Sequence, residues 1–237
     1  SLSDYLSKTS GITIDDVLLY YLLYADDLVL CSDSPEGLQL QIDGLFEFCK
    51  DWHMILNLTK TKILIFNKRN DTHKFYFNDV EIDISSSYKY LGVWLNTTKF
   101  DYFGHTYEYL TNQAQKAVFQ ATRLSNPVVG KLSPLLAFKV FDTQILPILE
   151  YGAEIWCKGK SIDVMETFQL KYIKNVLWVR PQTPTDAIFA ETGRMPITIR
   201  HKLKLIKYWL RLVNLPESHI LKKAYNTHRS YAASLVC

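Results

Sequence analysis

Four consecutive residues, Tyr24-Ala25-Asp26-Asp27, combine an aromatic ring with two adjacent carboxylates. Short apolar runs flank them, residues 18–23 before and residues 28–30 after. Each run has the length and composition of a buried strand, so the sequence predicts a tight hairpin that lifts both carboxylates clear of the core. Adjacent carboxylates repel each other unless a cation neutralises them. Mg²⁺ commonly binds one or two carboxylates together with substrate phosphates, so this pair indicates metal-assisted phosphoryl chemistry.

The alternative for the same four residues is an ordinary solvated turn, because Asp is common in turns. Against that alternative, the flanks are unusually apolar, and the turn lacks the Gly that two-residue hairpins favour. The motif alone leaves both interpretations open, and the neighbouring segments have to decide between them.

The elements that would position this motif are strands in the first hundred residues. Residues 17–30 predict the hairpin itself. Ser34 and Pro35 are a typical helix start, and residues 38, 42, 45 and 49 then form an apolar stripe at helical spacing. A strand over 63–67, a hairpin around Asn78-Asp79 and strand structure over 88–95 complete this part.

Helices are predicted after residue 100. One covers residues 101–124 with an alanine-rich face, and helix starts are expected at Ser133-Pro134, Ser161 and Thr183-Pro184. Gly193 is placed to end a short helix over 184–192. Residues 196–213 alternate bases with an apolar stripe of Leu203, Ile206, Leu210 and Val213. The change from strands to helices near residue 100 predicts an α+β chain with a domain boundary there.

Charge is distributed unevenly along a chain whose net charge is only +3. Residues 1–50 carry nine acids and two bases, whereas residues 193–237 carry nine bases and one acid. Such asymmetry indicates nucleic-acid contact, with a solvated basic helix face as the alternative. Four of these bases, Arg200, Lys204, Lys207 and Arg211, fall at spacings of three and four and predict one phosphate-binding face.

Cysteine usage and hydropathy narrow the class of protein further. The cysteines at 31, 49, 157 and 237 show no Cys-x-x-Cys or Cys/His spacing, which argues against a zinc site or a disulfide framework and fits a reducing, intracellular compartment. No apolar stretch approaches the length of a membrane span. The first residues lack the basic start and apolar core of a signal peptide.

In the order of its motifs the chain resembles the reverse transcriptases of non-LTR (LINE-type) retrotransposons. Tyr24-Ala25-Asp26-Asp27 matches the catalytic Tyr-x-Asp-Asp box of that family. The other similar segments are a palm motif at 57–66, a primer-grip hairpin at 88–93 and two post-thumb segments at 145–152 and 191–196. The resemblance implies a palm-type antiparallel sheet fragment with a packed helix over residues 1–100. An all-helical thumb and post-thumb bundle would follow over residues 101–237.

This resemblance implies an RNA-directed DNA polymerase that uses Mg²⁺ or Mn²⁺, with an RNA template, a DNA primer and dNTPs as partners. Asp26 is then a metal ligand, and Asp27 supports the metal site. Tyr24 resembles the aromatic residue that packs beside the primer end, with a half-buried strand tyrosine as the alternative. Ala25 leaves room for the substrate. The parent element would act in the nucleus or cytoplasm.

Two more segments acquire roles by the same resemblance. Lys60 matches the motif lysine that donates a proton to the departing pyrophosphate, and Lys62 is the alternative because Thr-Lys-Thr-Lys permits either alignment. Tyr90, Leu91 and Gly92 would shape the primer grip, where Gly allows close approach of the backbone to nucleic acid.

The resemblance also predicts what the chain lacks. In that family the first metal-binding Asp and the fingers precede the hairpin, so we expect the 237-residue chain to be inactive alone. Asp15 and Asp16 match the polar lead-in to the hairpin rather than the missing strand. Two other classes stay open, namely a non-catalytic nucleic-acid-binding remnant and a partner-binding relic with no nucleic-acid role.

Overall fold

The computed structural model of the chain describes residues 1–6, 9–67, 73–98, 102–124, 132–157 and 162–234. It divides into two compact units, unit 1 with Ser1–Tyr88 and Arg211–Cys237, and unit 2 with Lys89–Leu210. The described strands all precede residue 97, and helices dominate from residue 104 onward, so the fold is α+β as the sequence predicts. The domain boundary near residue 100 stays a prediction, whereas packing changes from one unit to the other at residue 88.

The described strands are short and pair two by two. They are β1 (Ile12–Ile14), β2 (Val17–Leu19), β3 (Tyr21–Tyr24), β4 (Asp27–Leu30), β5 (Ile63–Leu64), β6 (Phe75–Phe77), β7 (Val80–Ile82), β8 (Ile84–Ser85), β9 (Ser87–Tyr90) and β10 (Val93–Asn96). Three pairs, β1–β2, β3–β4 and β6–β7, are antiparallel hairpins with two-residue turns. The pair β5–β8 is parallel, and β9 pairs with β10 across a two-residue turn.

Helices make up most of the remaining described chain. They are α1 (Leu2–Leu6), α2 (Pro35–Asp51), α3 (Gly104–Leu124), α4 (Pro134–Val140), α5 (Leu146–Leu149), α6 (Ala153–Trp156), α7 (Ile162–Leu177), α8 (Thr185–Thr192), α9 (Ile197–Val213) and α10 (Ile220–Ser234). A π-helical segment, Phe141–Ile145, joins α4 to α5. Pro147 follows it, and because proline has no backbone N–H, the regular helical hydrogen bond at that position cannot form.

Unit 1 is organised around α2. Ser34 caps the helix by accepting a hydrogen bond from the backbone N–H of Gly37 at 3.2 Å, which confirms the predicted start. The predicted stripe is also confirmed, since Ile42, Leu45 and Cys49 are buried. Strands β5, β6 and β7 contribute the other buried residues of this core, and Leu28 and Leu30 of β4 pack against it. The helix therefore anchors one strand of the hairpin that carries the carboxylates.

Unit 2 has a separate core made of helices. Its centre is Trp156, which is fully buried. The Tyr107 ring lies edge-on to the indole with 5.0 Å between centroids, and its hydroxyl donates to the Trp156 carbonyl oxygen at 2.7 Å. Phe141, Ile145 and Leu149 are also fully buried and fill the space between α3, α5 and α7.

Several predicted boundaries need correction. The apolar run from Val17 does not form one hairpin: residues 17–19 pair with 12–14, and only 21–24 pair with 27–30. The strand predicted over 63–67 is limited to Ile63–Leu64, which pairs with the equally short β8. The helix after Thr183-Pro184 begins at Thr185 without a side-chain cap, and Gly193 ends it with φ +61° as predicted. Ser161 lies outside the described residues.

Two further expectations concern membranes and thiols. Across the part of the chain that the structure describes, the helices lack the combined length and hydropathy needed to cross a bilayer. Cys31, Cys49 and Cys157 form no disulfide within the described residues, and burial raises the pKa of Cys31 and of Cys49. Cys237 lies outside the described residues.

Candidate active site

The two carboxylates lie at the tip of the β3–β4 hairpin. Tyr24 is paired with Asp27, so Ala25 and Asp26 form the two-residue turn. Only Ala25 has a positive φ in this turn, +53°, which is the pattern of a type II′ turn, where Gly is usual. A left-handed backbone costs an L-residue about 1–2 kcal/mol. Asp26 and Asp27 are both exposed. The predicted hairpin tip is confirmed, and its backbone is strained.

The two strands of this hairpin differ in burial. Residues 28–30 of β4 are half-buried, and Leu28 and Leu30 pack on the core of unit 1. In β3, by contrast, Leu22, Leu23 and Tyr24 are 45%, 60% and 65% exposed. The expectation of two buried strands is therefore wrong for β3. Within the described residues this sheet has only two strands, and contacts from α2 reach β4, which leaves β3 open to solvent.

A second Asp-Asp turn in unit 1 provides an internal comparison. Asp15 and Asp16 connect β1 to β2, and Asp15 has φ +56°. The Lys223 ammonium group of α10 forms an ion pair with Asp16, and this hydrogen bond lowers the pKa of the Asp16 carboxyl. No such cation pairs with Asp26 or Asp27 among the residues that the structure describes. Within the described residues, the Asp26-Asp27 pair thus lacks a lysine partner such as the one that Asp16 has.

The chemistry of the Asp26-Asp27 pair fits a hard divalent cation. Carboxylate oxygens are the protein ligands that Mg²⁺ prefers, and Mg²⁺ usually keeps several waters besides one or two carboxylates. The described residues contain no group of three His, Cys, Asp or Glu side chains arranged to hold a metal ion. The pair can thus contribute two carboxylates to a metal site but does not by itself form a closed cage.

The structure separates the two candidate lysines that follow α2. Lys62 forms an ion pair with Asp83 at 2.5 Å, and only 25% of its side chain is exposed. Lys60 is exposed on the turn after Asn57, whose side-chain oxygen accepts a hydrogen bond from the Lys60 backbone N–H at 3.3 Å. Because the Lys62 ammonium group is already paired with Asp83, Lys60 is the better candidate to contact a ligand. Its catalytic role stays a prediction.

The turn between β9 and β10 contains the candidate primer-grip residues. Leu91 has φ +46° and Gly92 has φ +82°, so both turn residues are left-handed, as in a type I′ turn. A Cβ at Gly92 would lie 2.9 Å from Cε1 of Tyr151. The Tyr151 hydroxyl donates to the Leu91 carbonyl oxygen at 2.8 Å. The glycine therefore accommodates a tyrosine of the same chain, whereas the sequence interpretation assigned that space to nucleic acid.

A groove of about 540 Å³ lies beside this turn within unit 2. Gly92 and Tyr151 line it at the turn, and Tyr109, Gln113 and Lys116 line it from α3. The Lys89 ammonium group lies 4.5 Å from the centroid of the Tyr109 ring and donates to its hydroxyl at 2.9 Å. The groove thus combines aromatic surface with amide and ammonium groups.

The candidate basic face of α9 is divided between two environments. Arg200 and Lys204 both pair with Glu150, with Nε of Arg200 at 2.5 Å and Nζ of Lys204 at 3.2 Å from its oxygens. Burial alone would raise the pKa of Glu150, but hydrogen bonds from Arg200 and Lys204 hold it below its ordinary value. Lys207 and Arg211 are exposed. Of the four bases, Lys207 and Arg211 therefore face solvent and have no acidic partner among the described residues, whereas Arg200 and Lys204 are paired.

Sequence reasoning missed the partners of these charged groups. Glu150 lies in the apolar segment 145–152, and a lone acid there is a signal for a buried ion pair, since Glu is rarely buried unless paired. No comparable signal joins Asp16 to Lys223, because 207 residues separate them. The contact of Tyr151 with Gly92 likewise depends on packing that periodicity does not encode.

Comparison with known proteins connects this geometry to a family. Residues 3–106 match the family described as "Reverse transcriptase (RNA-dependent DNA polymerase)". The matched segment contains the whole β3–β4 hairpin, α2 and the turn at residues 91–92. Most of unit 1 is therefore similar to a reverse transcriptase domain.

One curated relative gives a second comparison. It is a Caenorhabditis elegans protein whose name describes it as transposon-derived, and it is 26% identical over 146 residues. The alignment covers 60% of this chain and 50% of that protein. The chain thus matches about half the length of its curated relative.

Proposed function

We propose that this chain is part of a retroelement RNA-directed DNA polymerase of the non-LTR type, and that Asp26 and Asp27 are its metal-binding carboxylates. The observation that carries the proposal is the exposed Asp26-Asp27 pair at a strained hairpin tip within the segment that matches reverse transcriptases. This pair has no cationic partner among the residues that the structure describes. Backbone strain concentrates at functional sites, which agrees with this assignment. The name of the transposon-derived relative supports a mobile-element origin.

In this proposal the hairpin is a rigid mount. Anchoring of β4 on the α2 core fixes the position of the two carboxylates, and rigid positioning is what a catalytic site requires. Asp26 would hold a Mg²⁺ ion and Asp27 would support it. When bound, such ions stabilise the attacking and leaving oxygens of an in-line displacement at phosphorus. Tyr24, which is 65% exposed beside Asp27, would contact the primer end, and Lys60 would protonate the departing pyrophosphate.

The proposal assigns roles to the larger segments as well. Residues 1–100 would be part of a palm, and residues 101–237 would be the thumb and post-thumb region. The two-metal site would take a further carboxylate from outside the described residues, since these bring no third ligand to the pair. We therefore expect the 237-residue chain alone not to extend a primer on an RNA template with Mg²⁺ or Mn²⁺.

Metal binding by the purified chain tests the site without requiring activity. We expect Mn²⁺ to enhance water-proton relaxation in a saturable way and Asp26→Asn to weaken this binding. The matched control is Asp16→Asn, which removes the same charge from a similar Asp-Asp turn whose acid is already paired with Lys223. Equal loss of Mn²⁺ binding in both variants would contradict the assignment.

Primer extension tests the reaction itself. In a longer form of the protein that extends primers, Asp26→Ala should abolish extension while leaving the melting temperature nearly unchanged, because the side chain is exposed. Near-normal extension by that variant would refute the catalytic role. Template-dependent dNTP incorporation by the 237-residue chain, lost in Asp26→Asn, would refute the need for a further carboxylate.

A second function is favoured by a different observation. Lys207 and Arg211 are exposed on α9, and they support a non-catalytic nucleic-acid-binding remnant. A polymerase fragment should show saturable Mn²⁺ binding that depends on Asp26. A non-catalytic remnant should bind RNA but show no such Mn²⁺ binding.

A further inference from the structure

Helix α9 exposes an apolar stripe on the side away from its buried residues. Ile199, Leu203, Ile206 and Leu210 are 42%, 41%, 51% and 47% exposed. Their spacing is four, three and four residues, which places them in one line along the helix. The inward side of the same helix carries Ile197 and His201, which are fully buried, so the helix is already attached to unit 2 through another face.

The spacing identifies the kind of surface that would cover this stripe. Apolar residues that alternate at intervals of four and three are the two seam positions of a heptad repeat, and such a seam packs against another α-helix. Val213, 36% exposed, extends the seam by one more interval of three, and Trp209, 47% exposed, adds apolar surface beside it. A helical occupant therefore fits this line of residues best.

The charges beside the stripe determine which helix would fit. In heptad terms Lys202 and Lys207 flank the seam on opposite sides, and both are exposed. Arg200 also lies beside the seam but is paired with Glu150. A second copy in parallel would place its Lys207 against Lys202, and like charges at these positions oppose pairing. The lysines on the two flanks would pair with acidic side chains of a partner helix.

We propose that the surface formed by Ile199, Leu203, Ile206 and Leu210 is a docking site for an amphipathic helix of a partner protein. The partner helix has aliphatic seam residues and Asp or Glu at the flanking positions. This surface is distinct from the Asp26-Asp27 site and does not depend on polymerase chemistry, so it goes beyond the proposed function.

A designed peptide tests this surface directly. The probe is a fluorescent helix of about four heptads with Leu and Ile at the seam and Glu at both flanks, which keeps it from pairing with itself. Titration of the full chain should give saturable binding by fluorescence anisotropy. A matched peptide with Lys at both flanks should bind at least about tenfold more weakly, since it repels Lys202 and Lys207.

Variants of the chain locate the binding. Leu203→Glu combined with Ile206→Glu should reduce affinity for the Glu peptide by at least about tenfold. Leu135→Glu combined with Val164→Glu is the control, because it places two acids on exposed apolar positions elsewhere in unit 2 and should leave affinity unchanged. Circular dichroism should show both variants folded, since all four positions are exposed.

Four outcomes would overturn the proposal. Equal binding of the Glu and Lys peptides would show that the partner helix need not be acidic. Equal loss of binding in both double variants would show that the peptide does not bind specifically to the α9 surface. Light scattering that shows a dimer disrupted by the α9 double variant would identify a second copy as the occupant. Binding of the full chain to vesicles of phosphatidylcholine and phosphatidylserine, lost in that variant, without peptide binding would identify a membrane surface.

Discussion

At the scale of single residues, neighbouring groups decide what each acidic side chain can do. Asp16 and Asp26 occupy similar turns of the same unit, yet among the described residues only Asp16 has a lysine as its partner. The difference follows from the position of α10, which brings Lys223 to Asp16. A residue type and a turn signal therefore do not define a metal site until the surrounding charges are known.

The first prediction compares the two turns by stability. Asp26→Ala should leave the melting temperature unchanged or raise it, because it removes the repulsion between adjacent carboxylates. Asp16→Ala should lower the melting temperature, since Lys223 loses its partner. Differential scanning fluorimetry without divalent metal provides the measurement. A fall for Asp26→Ala as large as that for Asp16→Ala would show that the exposed pair contributes to folding.

The second prediction concerns Glu150, which is buried between Arg200 and Lys204. Glu150→Gln should lower the free energy of unfolding by about 2 kcal/mol at neutral pH, because it weakens hydrogen bonds between charged groups while Arg200 and Lys204 stay partly exposed. The pKa of Glu150 is lower in the folded state than in the unfolded state. The contribution of its ionised carboxylate to the free energy of unfolding is therefore fully present above the unfolded pKa, about 4.3, and is lost as pH falls through the folded pKa.

Urea unfolding of wild type and Glu150→Gln at several pH values checks this dependence. The two curves should converge at acid pH, and Glu108→Gln, at an exposed position of α3, should stay close to wild type throughout. Burial lowers the pKa of His201, so both proteins should also lose stability below about pH 6.5, where unfolded histidine takes up a proton. A difference between the curves that does not change with pH would exclude the ion pair as its cause.

At the scale of elements, the sequence predicted those helices and hairpins whose start, turn or end is set by residues close together in the chain. The Ser34 cap, the α2 stripe, the Asn78-Asp79 turn and the end of α8 at Gly193 all follow from such short-range patterns. The division of residues 12–30 into two hairpins was missed, because the apolar run from Val17 carries no turn signal. The exposure of the α9 stripe could not be predicted either, because periodicity identifies an apolar stripe but does not show whether another element covers it.

The third prediction belongs to the β9–β10 turn. Gly92→Ala should lower the free energy of unfolding by at least about 1 kcal/mol, because φ is +82° and the new Cβ would meet Tyr151. Leu91→Asn should raise it, since Asn tolerates the left-handed region better than Leu. Chemical denaturation measures both changes.

Tyr151→Phe separates the two causes in this turn. It removes the hydroxyl that donates to Leu91 but keeps the ring against Gly92. If Gly92→Ala were as stable as wild type, the contact with Tyr151 would not be the reason for glycine at this position.

At the scale of the whole molecule, the chain returns to its starting unit. Residues 211–237 join unit 1, where α10 contacts β1, although a linear division would assign them to the helical half. Sequence periodicity is local and cannot predict such a return. Composition did predict a basic end, but it could not show that Arg194, Arg200, Lys204, Lys222 and Lys223 form ion pairs with acids of the same chain.

The last prediction follows from this partial neutralisation. We expect the full chain to bind single-stranded RNA weakly and without sequence preference, with affinity that falls linearly with salt on a log–log plot. Lys207→Gln combined with Arg211→Gln should reduce the magnitude of that slope by about 1.4, or about 0.7 for each lost phosphate contact.

The control is Lys139→Gln combined with Lys171→Gln, which removes the same charge from exposed positions on α4 and α7 and should keep the wild-type slope. Anisotropy titrations at several salt concentrations give the slopes. The same slope for wild type and the α9 variant would mean that these bases only solvate the helix, and RNA contact would then lie elsewhere on the chain.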